Sequence, residues 1–225
     1  MRGLFVTGTD TGAGKSVLSA ALVAAMVDGG ERVIAHKPVL TGTDEPPGSW
    51  PTDDQLLANV AGMDREQVAP LRYGPAVSPH LAARLAGKPI DPAQLLDRAQ
   101  QALKVGTTVI EGVGGIMVPF SEGYTVADLA HQLGLPVLIA ARPDLGTINH
   151  TLLTLAAARA SGLSVAAVVL TPWPAEPSTL QHSNRETIAS MGMVDVEVLP
   201  MLAAPERSEL ARAGQTLPWR RWLDA

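Results

Sequence analysis

The chain predicts an α/β fold of the P-loop NTPase type, a mostly parallel central sheet with helices on both faces. Three observations point there. Apolar, β-branched runs alternate with segments of helical pattern, as in successive βαβ units. The runs are continuous rather than polar at every second residue, which suits strands covered on both faces. The first run passes directly into a glycine-rich loop ending Gly14-Lys15-Ser16, which opens the first long helical segment. At 225 residues the chain suits one such domain, residues 1–225, better than two independent ones.

In chain order, strands are predicted at residues 4–7, 32–36, 107–110, 137–141 and 165–170, with a weaker candidate at 194–199. Helices are predicted at 15–28, 53–61, 92–104, 126–133, 149–160 and 180–190. The crossovers joining parallel neighbours should be right-handed. Residues 41–52 are rich in Gly, Pro and acids and read as a loop. A compact domain rarely keeps a loop that long without a use. Residues 172–177 hold three prolines and Trp173 and read as irregular.

Composition excludes several classes of function. Apolar residues make up 46% and charged residues 17%, enough for a sizeable core and too apolar for global disorder. The net charge of −5 leaves no basic excess to neutralise a phosphate polymer, so nucleic acid is not the expected partner. With no cysteine, disulfides, thiolate metal sites and cysteine nucleophiles are out. The first residues lack the apolar length of a signal peptide, and no later run approaches the roughly 18 apolar residues of a membrane span. A cytoplasmic protein without a membrane partner is the expectation. None of His36, His80, His131, His150 and His182 forms a metal-binding spacing with another. The basic-aromatic tail Trp219-Arg220-Arg221-Trp222 reads as packed or frayed rather than as a base-stacking site.

The chemistry concentrates in Gly8-Thr9-Asp10-Thr11-Gly12-Ala13-Gly14-Lys15-Ser16. Backbone N–H groups of such a loop wrap phosphates, and the following helix adds the partial positive charge of its N-terminus. Lys15 is placed to reach β- and γ-phosphate oxygens, and the Ser16 hydroxyl to ligate Mg²⁺. Candidate nucleotide contacts are Asp10, Thr11, Gly12, Ala13, Gly14, Lys15, Ser16 and Val17. Thr9 stands where the usual spacing has glycine, and Gly8 makes the loop one residue longer. A metal at the phosphates also needs carboxylates, since Mg²⁺ takes hard oxygen ligands. Glu111 ends a predicted strand ahead of Gly112-Val113-Gly114-Gly115, at the edge that faces ligands in parallel sheets. Asp53 and Asp54 begin a helix, where either could be an N-cap, and the residues alone favour neither as a ligand.

Several motifs then coincide with one family. The chain resembles dethiobiotin synthetase over nearly its whole length. The matching residues are Val6-Thr7-Gly8-Thr9-Asp10-Thr11 with Gly14-Lys15-Ser16, Lys37-Pro38-Val39 with Thr41-Gly42, Ser78-Pro79-His80, Glu111 to Gly115, and Leu145-Gly146-Thr147-Ile148-Asn149-His150. The resemblance implies an ATP- and Mg²⁺-dependent ligase that closes the ureido ring of dethiobiotin from 7,8-diaminopelargonic acid and CO₂. An amine captures CO₂ as a carbamate, the γ-phosphoryl group moves to the carbamate oxygen, and the second amine attacks the mixed anhydride. It further implies Lys37, Lys15 and Thr11 as catalytic residues and Ser16, Asp53 and Glu111 as metal ligands. Substrate contacts fall to Thr41, Ser78, Pro79, Gly114, Gly146, Thr147 and Asn149, the last three reaching a partner's site across a homodimer interface.

Departures from the family pattern also count. Gly12 replaces an acid found in some members. Thr171-Pro172-Trp173 replaces an Asn-Asp pair suited to reading a base edge, so another nucleoside triphosphate could serve in place of ATP. Competing readings share the phosphate loop. A partitioning ATPase commonly carries a second lysine early in the loop, where Asp10 stands here. A GTPase needs an Asn-Lys-x-Asp motif, which is missing. A small-molecule kinase would want an arginine-rich lid, and a cobyrinate-type synthetase a cysteine-bearing glutaminase half.

Overall fold

The computed structural model describes residues 2–46 and 48–224. In order, its elements are β1 (Gly3–Gly8), α1 (Lys15–Asp28), β2 (Val33–His36), β3 (Val39–Thr41), α2 (Asp53–Ala61), α3 (Arg65–Val68), β4 (Leu71–Tyr73), α4 (Pro79–Leu85), α5 (Pro92–Val105) and β5 (Thr107–Gly115). There follow β6 (Pro119–Ser121), β7 (Tyr124–Thr125), α6 (Val126–Leu133), β8 (Val137–Ala141), α7 (Thr147–Ala160), β9 (Val165–Trp173), α8 (Thr179–Gly192), β10 (Val196–Pro200), α9 (Arg207–Gln215) and α10 (Trp219–Leu223). Six strands form one parallel sheet in the order β10-β9-β8-β1-β5-β2. A short β3-β4 pair and a β6-β7 hairpin stand apart from it.

The continuous apolar runs follow from the layering. Leu4 and Val6 of β1 belong to the core on one face of the sheet, and Phe5 to the core on the other. Both faces are therefore dry, and every residue of β1 is buried. Burying a side chain such as Leu18 or Leu22 contributes about 1.5–3 kcal/mol, and α1 supplies a run of them on nearly all sides. It is covered on the far side by α9, where a Cβ on Gly214 would lie 2.0 Å from the Ala21 carbonyl oxygen. The absent side chain lets the two helices touch backbone to backbone.

Several sequence expectations need correction. Glu111 does not end its strand: β5 continues to Gly115, and Glu111 pairs in register with Val6 inside the sheet. β9 runs past residue 170 to Trp173, so Pro172 lies in a strand rather than in an irregular stretch. It falls where the register with β10 shifts, between Leu170 opposite Val198 and Trp173 opposite Pro200, and such a bulge tolerates a residue without an N–H. The N-cap of α2 is Thr52, neither Asp53 nor Asp54, and α7 begins at Thr147, capped by Gly146, rather than at residue 149. The expectation for the C-terminal tail holds, since Trp219 and Trp222 are packed in the core. The elements missed in sequence are short, except α9, whose weakly apolar composition hides its buried face.

Candidate active site

The phosphate loop leaves β1 and turns twice through left-handed glycines, Gly12 at φ 72° and Gly14 at φ 88°. Gly14 is the N-cap of α1 and offers no capping side chain, so the first N–H groups of the helix remain free to meet an anion. A Cβ on Gly14 would sit 2.5 Å from the Thr171 methyl, which reserves the position for glycine on steric grounds as well. Asp10 turns back on its own loop and accepts the Thr11 N–H at 2.6 Å. The Lys15 ammonium donates to the Asp10 carbonyl at 2.9 Å. Burial lowers the Lys15 pKa, partly offset by Glu111 nearby.

A second ammonium group enters from the neighbouring strand. Lys37 directly follows β2 and is only 2% exposed. Its Nζ donates to Glu111 Oε1 at 2.5 Å and lies 3.0 Å from Asp53 Oδ2. Burial opposes the charge on Lys37, but the two carboxylates outweigh it and hold the pKa above that of an ordinary lysine. The same Lys37 charge, against the cost of burial, pulls the Asp53 pKa down. Ser16 Oγ donates to the same Glu111 oxygen at 2.8 Å. Glu111 Oε2 is buried and has no hydrogen-bond partner among the described residues.

Lys15, Ser16, Lys37 and Asp53 border one cavity of about 660 Å³, with Glu111 buried behind Lys37. It is lined by Thr11, Gly12, Gly14, Lys15, Ser16 and Val17 from the loop and α1, Lys37 and Asp53 opposite, and Thr41 after β3. Ser78 and Pro79 at the start of α4 and Gly114 at φ 60° complete the wall. Asp10 and Ala13 instead border a separate cleft of about 160 Å³ with Thr147, His150 and Arg142. Gly146, Thr147 and Asn149 are absent from the main cavity of their own chain. Leu145, just ahead of them, is 87% exposed.

The arrangement fits a magnesium ion. Asp53 and Glu111 lie against the same Lys37 ammonium, the Ser16 hydroxyl bonds Glu111, and Glu111 Oε2 has no hydrogen-bond partner among the described residues, so hard oxygen donors for a cation gather here. Among the described residues no cluster of three or more His, Cys, Asp or Glu could hold a metal alone. Two carboxylates and a hydroxyl leave the remaining positions to water and phosphate, which is the habit of Mg²⁺. Asp54 has other partners: fully buried, it accepts from Thr52 Oγ1 at 2.6 Å, from Arg65 Nε at 2.9 Å, and from Arg72.

Arg65, Arg72 and Arg142 escaped sequence reasoning. Arg142 Nε donates to the Gly12 carbonyl at 3.0 Å, and its guanidinium fills the space a side chain at position 12 would take. The partner is 130 residues away in sequence, and no local pattern marks it.

Comparison with known proteins shows the family. A family model described as an AAA domain matches residues 2–211. An ATP-dependent dethiobiotin synthetase from Anaeromyxobacter dehalogenans is 38% identical over 222 residues, covering 96% of both chains. The Bacillus subtilis enzyme of that name is 36% identical, covering 90% of this chain and 89% of its own, and the Mycobacterium avium one 42%, covering 89% and 88%.

The chain belongs to the ATP-dependent dethiobiotin synthetase family.

Solved structures extend the likeness in fold alone. A ParA family ATPase from Chlorobium tepidum superposes with a TM-score of 0.56 at 14% identity, covering 96% of this chain and 90% of its own. The septum site-determining protein MinD from Pyrococcus horikoshii, complexed with Mg-ADP, gives 0.54 at 13%, covering 100% and 98%. The chain thus shares its fold with these two proteins, while its sequence relatives are dethiobiotin synthetases.

Proposed function

We propose that the protein is an ATP-dependent dethiobiotin synthetase, forming dethiobiotin from 7,8-diaminopelargonate and CO₂ with Mg²⁺ as its metal. The observation that carries the reading is Lys37, a buried ammonium facing the same cavity as Lys15. A phosphate loop needs one lysine for its nucleotide; a second, charged and desolvated, suits an anion brought against the γ-phosphate, here the substrate carbamate.

Lys15 reaches the β- and γ-phosphate oxygens, and Lys37 holds carbamate and γ-phosphate together as charge shifts between them. Phosphoryl transfer gains mainly from positioning and charge neutralisation. The Thr11 and Thr41 hydroxyls hydrogen-bond the diamine end, and Ser78, Pro79 and Gly114 shape the wall beside it. Asp53, Glu111 and Ser16 would hold the magnesium ion, which supplies charge neutralisation at the phosphate oxygens. Asp10, Gly12, Ala13, Gly14 and Val17 complete the loop around the nucleotide. Gly146, Thr147 and Asn149 bind the substrate carboxylate of a partner subunit in a homodimer. What supports that role is that they do not line the main cavity of their own chain, and that Leu145 beside them faces solvent. No described helix is long and apolar enough to cross a membrane, and the reading places the enzyme in the cytoplasm.

Incubation with diaminopelargonate, bicarbonate, Mg²⁺ and each of the four nucleotides tests it. Dethiobiotin and phosphate should appear together, only with the diamine present, and chelation of Mg²⁺ should stop both. Phosphate release without diamine would favour a switch ATPase instead. The four nucleotides also test whether Thr171-Pro172-Trp173 relaxes adenine selectivity.

A further inference from the structure

We infer that Asp54, Arg65 and Arg72 form a positioning clamp that sets the geometry of Asp53 against Lys37, an inference that rests on the ligase reading. Asp53 and Asp54 are neighbours in the first turn of α2, where successive side chains point about 100° apart. Asp53 turns to Lys37, with its side chain 42% exposed toward the cavity, while Asp54 is wholly buried on another side. The start of α2 is not held by ordinary capping. Thr52 makes no cap hydrogen bond; its hydroxyl donates to Asp54 Oδ1 and accepts from Arg65 Nη2 at 3.2 Å. The orientation of the turn that presents Asp53 is therefore handed to Asp54 and its two guanidinium partners.

The clamp is also tied to Lys37. The four-residue helix α3 begins with Arg65, which donates to Asp54, and ends with Val68, whose carbonyl accepts the Lys37 backbone N–H at 2.8 Å. The chain of contacts closes on itself, from Lys37 Nζ to Asp53, along the backbone to Asp54, across to Arg65, through α3 to Val68, and back to Lys37 N. Arg72 enters from β4, opposite Leu40 and one residue from the pair Thr41–Tyr73, so the same strand fixes Thr41. Arg65 and Arg72 border a pocket of about 210 Å³ that shares Leu40, Thr41 and Asp53 with the main cavity. A network serving α2 alone would need no link to the backbone of Lys37. This one fixes both members of the ion pair from behind.

Asp54→Asn, which keeps the shape and removes the charge, tests the clamp. Two readouts are needed beside a thermal melt: kcat and KM for dethiobiotin formation, and Mn²⁺ affinity in the presence of ADP by electron paramagnetic resonance. Residues that orient metal ligands typically cost about 10- to 100-fold when changed. On that scale kcat should fall about 10- to 100-fold and Mn²⁺ should bind roughly tenfold more weakly, with KM for the nucleotide changed less than about twofold. Asp54→Glu, which retains the carboxylate, should recover part of both losses. A lower melting temperature with kcat and Mn²⁺ affinity both at wild-type values would overturn the proposal. Should Asp54→Asn fail to fold, the more exposed Arg65→Gln decides: a loss of both kcat and Mn²⁺ affinity supports the clamp, and no change in either refutes it. A wild-type protein that made no dethiobiotin would sink the ligase reading, yet the Mn²⁺ measurement would still judge the clamp.

Discussion

Lys15 and Lys37 reach the same cavity from regions built on opposite plans. Around Lys15 everything is local: two left-handed glycines, a helix N-terminus, and a carbonyl five residues back that receives the ammonium. Around Lys37 everything is distant. Glu111 comes from β5, Asp53 from α2, and the backbone N–H is taken by Val68. Burial lowers the pKa of the first lysine, while the carboxylates beside the second overcome burial and raise it. The difference suggests a division of labour. A short loop suffices to hold phosphates, whereas a second cation aimed at the reacting oxygen must be desolvated, and a desolvated cation needs fixed counter-charges.

Four variants probe the two regions. Lys37→Ala should lower kcat by about 100- to 1,000-fold, the loss found when one preorganised donor is removed from a developing charge, and leave nucleotide affinity nearly unchanged. Titration calorimetry beside steady-state kinetics separates the two. Lys15→Ala should reverse the pattern and weaken nucleotide binding by about 10- to 100-fold, as expected for losing a charge-assisted hydrogen bond. Equal binding losses in both variants would erase the distinction.

The third test concerns His36, which precedes Lys37. Burial, helped by Arg98, depresses its pKa from 6.5 to about 4, so the folded protein holds it neutral. The unfolded chain takes up a proton near pH 6.5 that the native state refuses. The stability is fully present above pH 6.5 and is lost as the pH falls toward 4. Between pH 6.5 and 5 the loss should be about 1.5 kcal/mol. Denaturant titrations at both pH values should show a shallower slope for His36→Gln; an equal slope would mean that His36 is not the group involved. The smallest effect belongs to the loop. Gly14→Ala must adopt a left-handed conformation that costs about 1–2 kcal/mol and meet the Thr171 methyl. Thr171→Ser should return part of the stability, and a melt of the double variant measures it.

The same contrast explains what could be read without coordinates. Strands such as β1 and β8 were legible because they lie between two dry faces, which writes an unbroken apolar run into the chain, whereas the edge strand β10, half-exposed and interrupted by Glu197, gave only a weak signal. The phosphate loop was legible because its glycines, Lys15 and Ser16 are consecutive. Nothing within residues 65–85 announced α3, β4 or α4, since such short elements complete no hydrophobic period. The rear of the site stayed hidden with them. Asp53 and Asp54 are chemically alike in sequence and differ only in their surroundings: Lys37 for one, and for the other Arg65 and Arg72, 11 and 18 residues on. Arg142, which holds the Gly12 carbonyl from β8's far end, is more distant still.

The most direct test follows oxygen. If Lys37 holds a carbamate against the γ-phosphate, a carbamate oxygen attacks phosphorus and leaves with it when the ring closes. A single turnover begun with ¹⁸O-labelled CO₂, faster than label exchanges with water, should give inorganic phosphate carrying one labelled oxygen and dethiobiotin carrying the other. Unlabelled phosphate beside labelled dethiobiotin would contradict the account, because the γ-phosphoryl group would never have passed through the carbamate.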